Sequence, residues 1–285
     1  MTDGRVFDPL PRLGLGCGGA LAWPYLTDPE QALRTLLGAH AAGIRFFDTG
    51  HAYCAGHAET LLGRAIREIG RDRLFIGTKV GTFAVGRWGR VTQRFDRASL
   101  ESSLMESLRR LGVDQVDLLM LHSPPDAALQ SGMETLQWMR ARGMTCRVGA
   151  SIKATQCGHP AMALCDTVML QHSAVAPAPD GTIDSLRRMG IAVIAKRPIQ
   201  PESTGGRALL VPRSLDRAGI WYWLRGLRNR ARGSSRAGVS TPRVSPGKTL
   251  VATLASVDGA VFGSRSLHHI RENVDAVRSA GITLG

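Results

Sequence analysis

The feature that most constrains this 285-residue chain is its regular alternation of strand-like and helix-like segments. Eight short apolar runs predict β-strands, and helical material follows them along the chain. Such alternation is typical of parallel α/β proteins, and eight units in a chain of this length predict a (β/α)8 TIM barrel. An open, doubly wound sheet stays an alternative, because periodicity does not report whether the sheet closes. The predicted strands are residues 13–16, 44–48, 74–80, 116–122, 146–151, 168–171, 191–196 and 260–263.

One segment interrupts the alternation. Residues from about 200 to 246 are rich in Gly, Ser and Arg, and we predict one helix there, over 220–230. The overlapping stretch 196–248 holds twelve Lys or Arg and two acidic residues, so it accounts for ten of the thirteen net positive charges. We predict a single domain over residues 1–285 that carries this divergent Arg-rich segment.

The basic segment has several readings. It can be a solvated outer helix, a surface that attracts an anionic cofactor, or a docking site for an acidic partner. A nucleic acid is disfavoured, because no base-reading motif accompanies the arginines. A membrane is not expected, since no apolar run approaches about 20 residues and no signal peptide begins the chain. The five cysteines are odd in number and form no CxxC pair, which predicts reduced thiols in the cytoplasm.

Polar residues stand where several predicted strands end. Asp48 ends the second strand and Tyr53 lies in its loop, while Lys79 ends the third strand and His122 the fourth. In a barrel these ends share the C-terminal face, where active sites lie. We therefore expect the four side chains to meet.

Asp, Tyr, Lys and His together suit proton transfer to a carbonyl oxygen. A tyrosine with a pKa near ~10 is a poor acid at neutral pH. A nearby ammonium should lower that pKa, a carboxylate should hold the ammonium, and a histidine can orient the carbonyl. No nucleophile–base pair is evident, so the electrons must come from outside the chain, which suggests a nicotinamide.

The sequence resembles the aldo-keto reductase family, as a divergent member. The resemblance implies a (β/α)8 barrel that binds NADPH, with Tyr53 as general acid, Lys79 as its pKa partner, Asp48 as counter-ion and His122 as the carbonyl-orienting donor. It extends over most of the chain in family order. The matching stretches are 43–49 with Tyr53, 77–80, 99–104 with 108–111, 117–122, and 263–266 with Glu272 and Asn273.

The resemblance also implies a cofactor site. It places two residues at the nicotinamide carboxamide, two at the adenosine 2′-phosphate and two at the adenine, and the free N–H groups of the last helix suit an anion. Ser151 and Gln171 are the pair at the nicotinamide carboxamide. Ser264 and Arg265 are the pair at the 2′-phosphate, and Glu272 and Asn273 are the pair at the adenine. The remaining expected cofactor-binding residues are Gly263, Lys196 and Arg197.

The chain departs from the family at two cofactor positions. Ile152 stands where the family commonly has an asparagine, and Lys196 where it often has an aromatic that stacks on the nicotinamide. The chain also ends at Gly285, soon after the last helix, so we expect an open substrate pocket. Its expected lining is Trp23, Tyr25, Cys54 and Trp88, with Trp221 or Trp223 as further candidates.

Two other motifs are set aside. The Gly-rich stretch 14–19 invites a dinucleotide-binding reading, but no helix follows it promptly. His51, Cys54 and His57 have a ligand-like spacing for zinc, but no fourth ligand is near in sequence, and we predict no metal.

The predicted function is the NADPH-dependent reduction of an aldehyde or ketone, with a small-molecule carbonyl as substrate. One alternative is a biosynthetic enzyme of the same fold that uses the four residues for elimination or another proton transfer. Another is a non-catalytic, NADPH-binding or sensing subunit that docks an acidic partner through the Arg-rich segment.

Overall fold

A computed structural model describes residues 10–21, 25, 28–85, 90–199 and 245–285. The strands of the described residues are, in chain order, β1 (Leu13–Gly16), β2 (Phe46–Asp48), β3 (Phe75–Val80), β4 (Thr82–Val85), β5 (Arg90–Gln93), β6 (Val116–His122), β7 (Thr145–Ser151), β8 (Thr167–Gln171), β9 (Ala192–Lys196) and β10 (Gly259–Phe262). Eight of them are parallel and close into a barrel in the order β1-β10-β9-β8-β7-β6-β3-β2.

Closure is visible in the pairing of the first strand. Gly14 in β1 is in register with Phe46 in β2 on one side and with Val261 in β10 on the other. Every barrel pair is parallel, so all eight carboxyl ends meet at one face. The predicted (β/α)8 barrel is confirmed, and the open sheet was the wrong alternative.

Helices surround the barrel and begin where the sequence supplies caps. Asp28 accepts a hydrogen bond from the Gln31 amide at the start of the first helix, and Asp96 caps the third through Ser99. Gly112 ends the third helix with φ at 68°, a left-handed conformation that suits glycine. The helices are α1 (Pro29–Ala41), α2 (His57–Ile69), α3 (Arg97–Leu111), α4 (Asp126–Ala141), α5 (Thr182–Arg188), α6 (Pro246–Leu254) and α7 (Leu267–Ser279).

The core has two layers. The larger layer lies between the barrel and its helices, and a smaller one fills the barrel interior. Phe46 and Phe75 lie in the interior layer with ring centroids 5.0 Å apart in an edge arrangement. A Cβ on Gly14 would lie 2.6 Å from the Phe46 ring, so this glycine makes room for the phenylalanine. The filled interior leaves the C-terminal face as the place for a site.

The structure differs from the sequence analysis in several single elements. The stretch between β3 and α3, where no strand was predicted, contains the antiparallel hairpin β4–β5. Two short 3-10 turns, Ala154–Gln156 and Pro160–Leu164, follow β7 in place of an α-helix. Helices α5 and α6 were not predicted individually. These segments are too short to show a reliable helical or strand period. The helix predicted over 220–230 lies outside the described residues.

All five cysteines are free thiols. Within the described ranges, no helix is both long enough and apolar enough to cross a lipid bilayer.

Candidate active site

An ammonium–carboxylate pair lies buried at the mouth of the barrel. Lys79 Nζ donates to both Asp48 carboxylate oxygens at 2.7 Å and to the Thr49 carbonyl oxygen, also at 2.7 Å. Lys79 is 1% exposed and Asp48 4%. The pairing follows from topology, because adjacent β2 and β3 deliver the two residues to the same face. The charged head of Lys79 is thus held in one position.

The loop after β2 carries Tyr53 over this pair. Lys79 Nζ lies 4.9 Å from the centre of the Tyr53 ring. The Cε2 edge of the ring packs on Gly18, where a Cβ would lie 2.9 Å from Tyr53 Cε2. Cys54 and Ala55 then adopt positive φ values of 51° and 54°, a conformation that non-glycine residues rarely take. The chain therefore accepts local strain to turn from Tyr53 into α2.

His122 completes the group from the end of β6. Its ring lies edge-on to Tyr53, with centroids 5.5 Å apart and an interplanar angle of 86°. The His122 carbonyl accepts hydrogen bonds from Thr82 Oγ1 at 2.9 Å and from Gln93 Nε2 at 3.3 Å. The β4–β5 hairpin, which the sequence did not predict, thus anchors the histidine backbone.

The pKa values of the group reflect burial and charge together. Desolvation lowers the pKa of Lys79, but its interactions with Asp48 and Tyr53 outweigh desolvation and leave the pKa above its usual value. Burial raises the pKa of Asp48, and the Lys79 ammonium opposes that rise. Burial also raises the pKa of Tyr53, and Lys79 offsets only part of that shift. We expected the ammonium to lower the phenol pKa below its ordinary value, so the net direction is a correction.

A polar network that the sequence analysis missed supports the Tyr53 loop from outside the barrel. Arg110 Nη1 lies 3.2 Å from the fully buried Glu59 carboxylate, and Arg110 Nη2 lies 2.8 Å from Glu106. Glu106 also bonds to His51 Nε2 at 2.8 Å, and Glu59 accepts from Thr78 at 2.8 Å. The network therefore ties α2 and α3 to His51, two residues before Tyr53.

A cavity of about 1400 Å³ opens above these residues. It extends from Tyr53 along the barrel mouth to the start of α7. Most of the predicted site residues line it together. They are Asp48, Tyr53, Cys54, Lys79, His122, Ser151, Gln171, Lys196, Arg197, Gly263, Ser264, Glu272 and Asn273.

Lys196 lies across the far side of the cavity. From the end of β9 its Nζ reaches past β8 and donates to the Oγ of Ser151, the last residue of β7, at 2.9 Å and to the carbonyl of the next residue, Ile152, at 3.3 Å. Desolvation lowers the pKa of Lys196 to about 8, with added repulsion from Lys79 and Arg197. The next residue, Arg197, has φ at 58°. Among the described residues, the Lys196 ammonium thus donates hydrogen bonds only to uncharged oxygen atoms.

Several predicted residues lie elsewhere. Arg265 is exposed and does not line the cavity. Tyr25 is 4% exposed, packs in the larger core layer and does not line the cavity, so its place in a substrate pocket stays a prediction. Trp23, Trp88, Trp221, Trp223 and nearly all of the Arg-rich segment lie outside the described residues.

Some lining residues were not predicted. Gly16, Gly18 and Gly19 border the cavity, as do Thr82 and Gln93 of the hairpin. The signal for the glycines was the Gly-rich stretch 14–19, which we discounted because no helix follows it. The stretch leaves space for the Tyr53 ring, because a Cβ on Gly18 would lie 2.9 Å from Tyr53 Cε2.

The ligand-like spacing of His51, Cys54 and His57 does not assemble a metal site. His51 Nε2 bonds to Glu106 instead. Across the described part of the chain, no three His, Cys, Asp or Glu side chains come together to hold a metal ion.

Comparisons with known proteins place the chain in one family. The sequence profile of the Aldo/keto reductase family matches residues 12–204. The chain is 28% identical over 161 residues to an NADH-specific methylglyoxal reductase of Escherichia coli, covering 50% of this chain and 48% of that protein. It is 30% identical over 162 residues to a D-threo-aldose 1-dehydrogenase of a Pseudomonas species, covering 49% of each. The chain thus spans about half the length of these relatives.

One solved structure extends the likeness of the fold. An aldo-keto reductase from Klebsiella pneumoniae in complex with NADPH superposes with a TM-score of 0.66 at 22% identity, covering 97% of this chain and 87% of that one.

Proposed function

Because this chain belongs to the aldo/keto reductase family, we propose that it is an NAD(P)H-dependent oxidoreductase that reduces an aldehyde or ketone to an alcohol. The observation that carries the proposal is the buried Lys79–Asp48 pair beneath Tyr53, with His122 at the ring edge and a large cavity above. Bound at this cavity, the cofactor would supply a hydride to the carbonyl carbon. The chain would supply the proton and hold the carbonyl oxygen.

Tyr53 is the proposed proton donor. Its raised pKa keeps the phenol protonated at neutral pH, which is the form that a general acid needs. As the carbonyl oxygen gains negative charge, Tyr53 transfers its proton, and the fixed Lys79 ammonium stabilises the phenolate that forms. Asp48 keeps Lys79 charged and in place. His122, whose ring centroid lies 5.5 Å from that of Tyr53, is the proposed second donor to the same carbonyl oxygen.

The residues along the cavity fit a long anionic dinucleotide. The polar lining continues from Tyr53 past Ser151 and Gln171 to Ser264 and the first turns of α7. The α7 N-terminus offers its amides to an anion, and Lys196 offers a cation midway. We propose Ser151 and Gln171 as carboxamide partners.

The adenosine end of the proposed site lies at α7. We propose Ser264 and Arg265 for the 2′-phosphate, Glu272 and Asn273 for the adenine, and Gly263 for close backbone approach. NADPH is the favoured form because Arg265 can pair with the additional phosphate. Binding titrations with NADPH and NADH test this preference.

The direct test is NADPH consumption with a panel of carbonyl compounds. The panel should include methylglyoxal and an aldose, the compound classes in the names of the two relatives. We expect consumption that depends on both protein and carbonyl, with stoichiometric alcohol formation. Tight NADPH binding without turnover on any carbonyl would contradict the enzymatic proposal and favour a non-catalytic binding subunit.

A further inference from the structure

The cavity holds two ammonium groups, and only one of them has a counter-ion within the described residues. Lys79 is neutralised by Asp48. Lys196 makes its two hydrogen bonds to a hydroxyl and a carbonyl, and among the described residues it forms no ion pair with a carboxylate. A partly buried cation with neutral partners loses its hydration without gaining an opposite charge.

Lys196 is also placed to meet a ligand. Its side chain crosses β8 to reach Ser151, and its backbone is in register with Gln171 of β8, so along the cavity wall Lys196 adjoins both proposed carboxamide contacts. Moving the ammonium away from Ser151 Oγ would release that hydroxyl for a ligand amide. When a ligand pairs with the Lys196 ammonium, that ammonium gains an opposite charge and Ser151 Oγ loses a hydrogen-bond donor.

We propose that Lys196 is the anion-binding group of the cavity: it leaves Ser151 and pairs with an anionic oxygen of the bound ligand. The proposal rests on the proposed function, since it assigns a charge to the ligands of the same site. Two sources supply such an oxygen, a phosphate of the dinucleotide or a carboxylate of the substrate. The test separates them.

The pairing is expected to be coupled to proton uptake. The charged groups that act on Lys196 are Lys79, Arg197 and Asp48, which together with desolvation set its pKa at about 8. An anion beside the ammonium raises that pKa, so near pH 8 the ligand binds together with a proton. Ligand affinity should then fall as the pH rises from 7 to 9.

Calorimetry in buffers of different ionisation enthalpy measures this proton directly. The titrants are NADPH, inorganic pyrophosphate, and oxamate added to protein saturated with NADP⁺. The variants are Lys196→Met, which removes the charge, and Lys196→Arg, which keeps it without titrating in this pH range. The matched control is Lys153→Met, because Lys153 is exposed and does not line the cavity.

Three results support the proposal. Wild type and Lys153→Met should take up as much as about half a proton per ligand near pH 8, and Lys196→Met should take up none. Lys196→Met should bind the relevant ligand at least about tenfold more weakly, since a charge-assisted hydrogen bond is lost. Lys196→Arg should bind with an affinity that stays constant from pH 7 to 9. Uptake with NADPH and pyrophosphate identifies a phosphate, and uptake with oxamate alone identifies a carboxylate.

The proposal is overturned if Lys196→Met binds every titrant as wild type does, or if uptake persists in it. Its failure is distinct from failure of the proposed function. If wild type binds NADPH, but no proton uptake that depends on Lys196 accompanies NADPH, pyrophosphate or oxamate, only the role of Lys196 is rejected. Wild type that does not bind NADPH rejects the cofactor proposal, while pyrophosphate still tests the ammonium by itself.

Discussion

The two walls of the barrel mouth each present one ammonium to the same cavity, and they treat it in opposite ways. On the β2–β3 wall, Lys79 is 1% exposed and bound to both oxygens of Asp48, and its pKa lies above the usual value. On the β7–β9 wall, Lys196 bonds to neutral oxygens of Ser151 and Ile152, and its pKa falls to about 8. The comparison teaches that a counter-ion, more than burial, separates a fixed charge from a responsive one.

The largest expected difference between the walls is in stability. Lys79→Met leaves Asp48 buried without a cation and should lower the free energy of unfolding by about 3–5 kcal/mol. Lys196→Met leaves no described carboxylate unpaired and removes an ammonium that burial disfavours, so it should not lower the free energy of unfolding by more than about 1 kcal/mol. Urea unfolding at pH 7 measures both.

A paired variant controls for loss of packing at Lys79. Lys79→Met combined with Asp48→Leu removes both charges, so it should recover much of the stability lost in Lys79→Met alone. Equal losses for Lys79→Met and Lys196→Met would break the distinction between the walls.

Packing around Tyr53 should produce the next largest effect, on rate. Gly18→Ala would place a methyl group 2.9 Å from Tyr53 Cε2, so the ring would have to shift from its present position beside Lys79. A shift of about 1 Å in a reacting group can cost about 100-fold, so kcat should fall by roughly 10- to 100-fold. The control is Gly158→Ala, where a Cβ meets no atom within 4 Å. A Gly18→Ala enzyme with the wild-type kcat would show that ring position is not critical.

The smallest expected effect is a difference between the two walls in how stability depends on pH. The pKa of Lys196 is lowered from 10.5 to about 8 in the folded protein, so between these values the unfolded chain binds more protons than the folded one. Stability contributed by Lys196 therefore rises as the pH increases from 8 toward 10.5. Allowing for solvent screening, wild type should gain about 1 kcal/mol relative to Lys196→Met between pH 8 and 9.5.

For Lys79, the pH dependence of stability has the opposite sign. Its pKa is raised in the folded state, so its contribution is complete below 10.5 and is lost above that value. It should not produce a change between pH 8 and 9.5. Guanidinium unfolding of wild type and Lys196→Met across this range is the measurement, and identical pH profiles would contradict the lowered pKa of Lys196.

Much of the barrel could be predicted because its strands are short apolar runs that end in polar residues. The strand Val116–His122 has the predicted bounds, and Asp48, Lys79 and His122 lie at or one residue before the ends of three neighbouring strands. Parallel pairing then brings such ends to one face without further information. The sequence pattern alone was therefore enough to predict which polar residues lie at the ends of strands.

The rest depended on neighbours that are distant in sequence. The reach of Lys196 across β8 to Ser151 joins residues 45 positions apart. The net rise in the Tyr53 pKa depends on how fully the ring loses water, which no local pattern reports. Arg110 and Glu59 looked like ordinary helix charges, and only packing of α2 against α3 shows that they meet.

The central claim is that Tyr53 gives its proton to a carbonyl oxygen beside the Lys79–Asp48 pair. The most direct test is a stopped-flow single turnover of NADPH with an accepted carbonyl, in wild type and in Tyr53→Phe, together with the NADPH dissociation constant of each. We predict that Tyr53→Phe binds NADPH as wild type does and transfers hydride at least about 100-fold more slowly. Hydride transfer at the wild-type rate in Tyr53→Phe would contradict the account.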